Sequence, residues 1–219
     1  MLVGNDVVDL RDPENQPGAI HPRFDERVFT STERERLTNE ATVHRTRWLM
    51  WAAKESAFKV GRKLDLRVRF LPRLFSVQLE GKTSAVVRHA VGRFQVSFSG
   101  GDDWVHAIAT RFDGAVDDAS GPSAMVERVQ EGRFAPAYVS ARVRSMARAA
   151  VGSVLSIAPP EIEIATAAKI PVALWRKLPL PVDLSLSHHG SFLACAWSQS
   201  ETPPSGGFTP GRRAGFDFA

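Results

Sequence analysis

From Asp113 to Ser123 the chain loses every apolar period: Asp113-Gly114 through Ser120-Gly121-Pro122-Ser123 is small, acidic and turn-forming. A segment with nothing to bury connects rather than packs. The chain therefore divides there, and 219 residues leave each half long enough to hold a core of its own. The expected organisation is a first lobe over 1–113, a linker over 114–123 and a second lobe over 124–199. Between Glu201 and Arg213, Pro203, Pro204, Gly206, Gly207, Pro210 and Gly211 leave only Phe208 to bury. Residues 200–219 are accordingly expected to form a disordered tail.

Both halves place helix before sheet. In the first, 2–10 reads as a strand, 24–39 as one or two short helices and 42–60 as a helix. Four runs, 74–79, 86–89, 94–98 and 104–109, then alternate apolar and polar residues between glycine-rich turns, the pattern of an antiparallel sheet. In the second half, Val139, Val143, Met146 and Ala150 recur at helical spacing over 137–151, and 162–164 and 184–197 read as strands. The closing strands resemble one another: Trp104-Val105-His106-Ala107-Ile108-Ala109 and Ser191-Phe192-Leu193-Ala194-Cys195-Ala196-Trp197. The fold class expected is α+β, with two similar lobes, each a helix on an antiparallel sheet, forming a pseudo-dimer.

Composition narrows the function classes. One cysteine, Cys195, makes no internal disulfide, and no stretch approaches the roughly 20 apolar residues that span a bilayer. The opening Met1-Leu2-Val3-Gly4-Asn5-Asp6 lacks the basic flank and apolar core of a secretory signal, so a cytoplasmic location is expected, with no membrane partner. Lys and Arg number 28 against 24 Asp and Glu, a net charge of +4, with a pI near 9.6. That excess favours polyanionic partners or simply a solvated basic surface.

Three clusters bear chemistry. On the helix around Trp48, the residues Trp51, Ala52, Glu55, Phe58 and Lys59 share a face at about 100° per residue. Glu55 and Lys59 read either as an ordinary i,i+4 surface pair or as charges among bulky aromatics, which need a metal or an anion to compensate them. In Gly4-Asn5-Asp6-Val7-Val8-Asp9, period two puts Asp6 and Val8 on one face and Asp9 on the other. Asp6 is either an edge residue or, converging with Glu55, half of a hard-oxygen site for Mg²⁺. Finally, Leu184-Ser185-Leu186-Ser187-His188-His189-Gly190-Ser191 ends in a turn, with His188 either a turn residue or a phosphate donor helped by Ser187. The His188-His189 pair has no further ligands at zinc spacing.

The stretch Trp51-Ala52-Ala53-Lys54-Glu55-Ser56-Ala57-Phe58-Lys59 resembles the W-x-x-K-E-S/A-x-x-K signature of the 4′-phosphopantetheinyl transferases. Gly4-Asn5-Asp6-Val7-Val8 resembles their upstream G-x-D strand, at a similar separation. Arg23-Phe24, Arg27-Val28-Phe29-Thr30 and Glu33 look like the intervening stretch of the short holo-acyl-carrier-protein-synthase class, and Leu184-Ser185-Leu186-Ser187-His188 resembles the family's S-L-S-H element. The likeness spans most of 2–198 and implies a two-lobed enzyme whose metal half comes first, reversed relative to the common two-lobed order.

Carried over by motif, the resemblance makes Asp6 and Glu55 magnesium ligands, with Glu55 also helping to deprotonate the attacking serine and Lys59 balancing phosphate charge. It assigns coenzyme A to Ser187, His188, Lys169 before Ile170-Pro171, Lys54, and more weakly Arg142 and Arg148, with Arg144 competing for the same task. The chain departs from the pattern at Val8, where many members carry a second acid, leaving water or Asp9 to complete the shell. It departs again at Lys169, which occupies a glycine's place, and after Gly61, where the second glycine of G-x-G is missing.

The implied reaction is attack by a serine of an acyl, polyketide or peptidyl carrier protein on the β-phosphorus of coenzyme A, with Mg²⁺, by a monomer. Adenosine 3′,5′-bisphosphate would leave. Two rival readings stand beside it. One is a basic nucleic-acid-binding or regulatory module, suggested by Arg67-Val68-Arg69, the arginines over 142–148 and Arg212-Arg213. The other is a non-catalytic homologue that binds coenzyme A or a carrier, suggested by Val8 and Lys169.

Overall fold

The computed structural model describes residues 1–39, 42–112, 121–129 and 135–199. Most of the expected linker and all of the expected tail lie outside these residues. Within them the chain builds two five-stranded antiparallel sheets. The first half contributes β1 (Val3–Asp9), α1 (Phe24–Val28), α2 (Ser31–Asn39), α3 (Val43–Leu64), β2 (Ser76–Leu79), β3 (Ser84–His89), β4 (Gly92–Gly100) and β5 (Trp104–Arg111). The second contributes β6 (Ser123–Arg128), α4 (Pro136–Leu155), β7 (Ile162–Ala167), β8 (Ile170–Trp175), β9 (Leu178–His189) and β10 (Phe192–Gln199).

Strand order is β1-β5-β4-β3-β2 in one sheet and β6-β10-β9-β8-β7 in the other. Each lobe is thus a leading strand, a long helix and a four-stranded meander whose last strand pairs back onto the first. The two lobes share this topology, and the α+β pseudo-dimer is the observed fold class.

Local chemistry sets the helix boundaries. Thr30 and Glu33 close a capping box: the Glu33 N–H donates to the Thr30 hydroxyl at 3.3 Å, and the Thr30 N–H donates to the Glu33 carboxylate at 2.8 Å. That cap breaks 24–39 into two helices. Helix α3 continues past Gly61 to Leu64, four residues beyond the expected end, and closes where the Asp65 N–H donates to the Gly61 carbonyl. Its small residues Ala52, Ala53, Ala57 and Gly61 let it lie close on the sheet. The closest approach is at Gly4, where a side-chain β-carbon would stand 2.1 Å from the Ser56 carbonyl oxygen.

The first core gathers Phe29, Met50, Phe75, Phe94 and Val105 beneath α3, and the second gathers Val143, Ala147, Val151, Leu184 and Leu193 beneath α4. Cys195 lies in that second core, where burial pushes its thiol up to about 12, so it is an inert packing residue. A smaller cluster of Val7, Phe192 and Ala194 joins the lobes, with Trp104 stacked on Phe192 at 5.7 Å. Strand β6 was not expected from sequence, because four of its six residues are exposed and leave no alternating signal. Nor was β8, whose pairing with β9 shifts register between Val172 and Leu174.

Candidate active site

Strand β1 is the edge of its sheet, paired on one side with β5. Its other side faces β9 of the second lobe, and the donors left over there are met by side chains rather than backbone. The Val3 N–H donates to Asp183 at 2.7 Å, Asn5 to Ser185 Oγ at 2.8 Å, Val7 to Ser187 Oγ at 2.8 Å and Asp9 to His189 Nδ1 at 3.2 Å. The period-two face of β9 is thereby matched residue for residue to the period-two donors of β1. Unpaired buried donors cost about 1–3 kcal/mol each, so this stripe fixes the register between lobes.

That register assembles the carboxylates. Asp6 projects from β1 toward α3, where Lys59 Nζ donates to the Asn5 carbonyl at 2.7 Å and to Asp6 Oδ1 at 3.2 Å. Glu55, one turn earlier on α3, lies 3.8 Å from the same ammonium. From the other lobe, Ser187 Oγ donates to Asp6 Oδ1 at 3.2 Å while accepting from Val7. Asp6, Glu55, Lys59 and Ser187 therefore meet at one place between the lobes.

Its electrostatics follow from two acids sharing one cation in a partly dry cleft. Burial pushes the Glu55 carboxyl up to about 7, with the charge of Asp6 adding to the effect and Lys59 and His189 opposing it. Burial likewise raises Asp6, against the pull of Lys59, Ser187 and the Val7 N–H. Behind them His106 accepts from Asn5 Nδ2 at 3.1 Å, and burial, then the charge of Lys59, push it down to about 4. It is a neutral ring at physiological pH.

Helix α3 continues this polar stripe into a cleft of about 290 Å³ lined by Phe58, Lys59, Arg62, Lys63, Lys169 and Leu186, among others. Lys63 bridges the lobes: its ammonium donates to the Val3 carbonyl, the Asp183 carboxylate and the Leu184 carbonyl, each at 2.6 Å. Arg62 reaches the Ala168 carbonyl in the β7–β8 turn at 3.2 Å. In that turn Ala168 and Lys169 adopt φ of 49° and 68°. Such left-handed geometry suits the glycine that the family pattern carries at this place.

Several expectations change. Lys54 cannot reach a nucleotide: it is fully buried, donating to both Glu33 oxygens at 2.9 and 2.8 Å, to Pro72 O at 3.1 Å and to Phe75 O at 2.7 Å. A 100° rotation from Glu55 turns it into the core. Ser187 and His188 do not act side by side, because strand alternation buries Ser187 against Asp6 and leaves His188 exposed on the opposite face. Partial desolvation and the charges of Lys59 and His189 lower the His188 ring. Asp9 does not join Asp6. Its oxygens accept from the Arg11 N–H at 2.9 Å and the Ser191 N–H at 3.0 Å, tying down the β9–β10 turn. Gly190 in that turn has φ 52°, and a β-carbon there would sit 2.5 Å from Asp9 Oδ2. On α4, Arg142 pairs with Glu127 at the exposed edge strand β6, and neither it nor Arg148 lines the interlobe cleft.

Lys63, Asp183, Ser185, His189 and Arg62 were not singled out as functional from sequence. A signal for most of them was present. Glu55, Lys59 and Lys63 recur every four residues on α3, and Asp183, Ser185, Ser187 and His189 form a polar period-two run in β9.

The pair Asp6 and Glu55 fits a divalent magnesium ion. Two crowded carboxylates, each raised above its ordinary value, are short of positive charge, and magnesium commonly takes one or two protein carboxylates with water and phosphate oxygens. Among the described residues no cluster of three or more His, Cys, Asp or Glu provides an all-protein cage. No helix among them is long and apolar enough to cross a membrane.

Residues 2–109 match the family model described as the 4′-phosphopantetheinyl transferase superfamily. Among solved structures, that of Thermotoga maritima holo-[acyl-carrier-protein] synthase aligns with a TM-score of 0.39 at 16% identity, over 81% of this chain and 83% of that one. No curated protein sequence matches the chain.

Proposed function

Since the chain belongs to the 4′-phosphopantetheinyl transferase superfamily, by the match over its first lobe, we propose that it transfers 4′-phosphopantetheine from coenzyme A to a serine of an acyl, polyketide or peptidyl carrier protein with the help of Mg²⁺. One observation carries this reading: Asp6 and Glu55, far apart in sequence, share Lys59 at the lobe boundary, with Ser187 of the second lobe bonded to Asp6.

The residues divide the work. Glu55, partly exposed beside Lys59, is placed to accept the proton of the serine hydroxyl directly or through water. Lys59, with Arg62 and Lys169 farther along the cleft, offers positive charge where the pyrophosphate and nucleotide phosphates would lie. Ser187 and Lys63 hold the two walls in register, so that nucleophile and phosphorus are brought into line. Asp6 and Glu55 would hold the magnesium ion, which supplies electrostatic stabilisation of charge on the phosphoryl oxygens. The serine oxygen bonds to the β-phosphorus, the bond to the bridging oxygen breaks, and adenosine 3′,5′-bisphosphate leaves. In this reading 1–113 and 124–199 act as metal-bearing and coenzyme-bearing lobes, in an order reversed relative to the common two-lobed class, and Ser187 contributes by positioning rather than by gripping phosphate.

The test is incubation of the purified chain with an apo carrier protein, coenzyme A and Mg²⁺, read as the mass gain of the carrier. Transfer is expected, with a loss of at least 100-fold in Glu55→Gln and in Asp6→Asn. Full transfer by Glu55→Gln would refute the assignment.

A further inference from the structure

Strand alternation sends Asp6 toward α3 and puts Val3, Asn5 and Val7 on the opposite face of β1, where all three are buried. An amide between two valines needs a reason. Asn5 Oδ1 is buried with no hydrogen-bond partner among the described residues, a desolvation cost that a valine like its neighbours would not carry. The amide nitrogen supplies the reason: Nδ2 bonds His106 Nε2 at 3.1 Å, and that ring is 1% exposed. The pair is diagonal on the β1–β5 ladder, where Asn5 stands opposite Ile108 and His106 opposite Val7. A two-residue slip of β1 along β5 would leave each side chain on its own face, so alternation alone does not forbid it. The bond between Asn5 and His106 exists in one register only.

The fit of β1 to α3 depends on that register. The Val3 carbonyl accepts from Lys63 at 2.6 Å and the Asn5 carbonyl from Lys59 at 2.7 Å. Four residues of helix advance about 6 Å and two residues of strand about 6.6 Å, so lysines one turn apart match carbonyls two residues apart. Seated on the Asn5 carbonyl, Lys59 also reaches Asp6 Oδ1 at 3.2 Å and stands 3.8 Å from Glu55. The Asn5 N–H meets Ser185 of the second lobe at 2.8 Å. One residue thus joins β5, α3 and β9, and His106 is what its side chain holds.

We propose that His106 is a positioning residue for transfer: through Asn5 it pins β1 in the register that seats Lys59 between Asp6 and Glu55. The proposal rests on the transfer reading above and adds a buried ring that touches neither substrate nor metal. Stability alone is a poor reason to keep the pair. Replacing both partners of a buried hydrogen bond by apolar groups is nearly neutral or stabilising, and here it would also remove the unpaired Oδ1. A buried polar pair that fixes a register is kept for what the register assembles.

Full-length wild type, His106→Leu, Asn5→Val, the double variant, His106→Gln and His106→Asn are assayed with an apo acyl carrier protein, coenzyme A and Mg²⁺, and each is melted. Glutamine carries its amide near the place of Nε2, asparagine near that of Nδ1. Expected is a fall of at least tenfold in kcat for His106→Leu, Asn5→Val and the double variant, the double being within twofold of the worse single. Both KM values should stay within threefold of wild type, and the double variant should keep the wild-type Tm. His106→Gln should return kcat to within threefold of wild type, and His106→Asn should not. Wild type that transfers normally beside a double variant with kcat within twofold of it overturns the positioning role alone. A loss of kcat that follows Tm across the series and is shared by His106→Gln also overturns it, by making the pair a folding contact. A loss carried by either KM overturns it as well. Wild type that transfers nothing overturns the transfer reading and the proposal together.

Discussion

Lys63→Met tests whether the interlobe ion pair holds the two walls of the site. The wild-type ammonium makes three contacts of 2.6 Å, one of them to Asp183, whose side chain is 12% exposed. Burial first, and then the like charge of Lys59, lower the Lys63 ammonium below its ordinary value, and Asp183 opposes that shift. Removing the cation therefore returns some desolvation cost but strands a carboxylate and two carbonyls. Breaking a buried pair from one side costs about 3–5 kcal/mol. With the recovered desolvation, the expected loss is about 3 kcal/mol, or roughly 6–12 °C in Tm for a chain of this size. Urea denaturation of wild type, Lys63→Met, Asp183→Asn and the double variant supplies the coupling. Asp183→Asn keeps an acceptor for the Val3 N–H, so the double variant should recover at least about 1.5 kcal/mol relative to the sum of the singles. Transfer by Lys63→Met should also fall, because β9 carries Ser187 to Asp6. A single-variant loss under about 1 kcal/mol with additive behaviour would refute the clamp.

Stability in the absence of divalent cations should depend on Glu55. A carboxyl raised from 4.5 to about 7 keeps its proton in the folded chain after the unfolded chain has lost it. Folded stability therefore falls as pH rises through that window, by at most about 3 kcal/mol. His106, lowered from 6.5 to about 4, works oppositely, costing stability as pH falls through its own window. The difference between wild type and Glu55→Gln in urea midpoints from pH 5 to 8 isolates the carboxyl; parallel curves would remove it. Lys169→Gly relieves a residue at φ 68° while adding backbone freedom to the unfolded chain. Stability should move by less than about 1 kcal/mol. Coenzyme A KM should rise several-fold in the same variant, and an unchanged KM would show that the ammonium is not used.

The pair Lys54 and Glu55 shows what was legible and what was not. Helix formation, the amphipathic face with Glu55 and Lys59, and the two-lobe division follow from periodicity and turn chemistry, which act between near neighbours. That Lys54 faces inward depends on what fills the other side of α3. Its partner Glu33 lies 21 residues away and its carbonyl acceptors up to 21 residues ahead, so no local pattern announces them. Likewise the alternation of β9 shows that Ser185, Ser187 and His189 share a face, but not what the face meets.

By itself the sequence determined the long helices, most of the strands (though not β6 or β8), the two-lobe α+β architecture and the family resemblance, because hydrophobic period, caps and motif spacing are short-range properties. Only the tertiary structure decided that β1 is an edge strand whose free donors are met by side chains about 180 residues later. The reason is physical: an edge must satisfy its buried N–H groups with whatever surface packs against it, and that surface is chosen by the docking of two completed lobes.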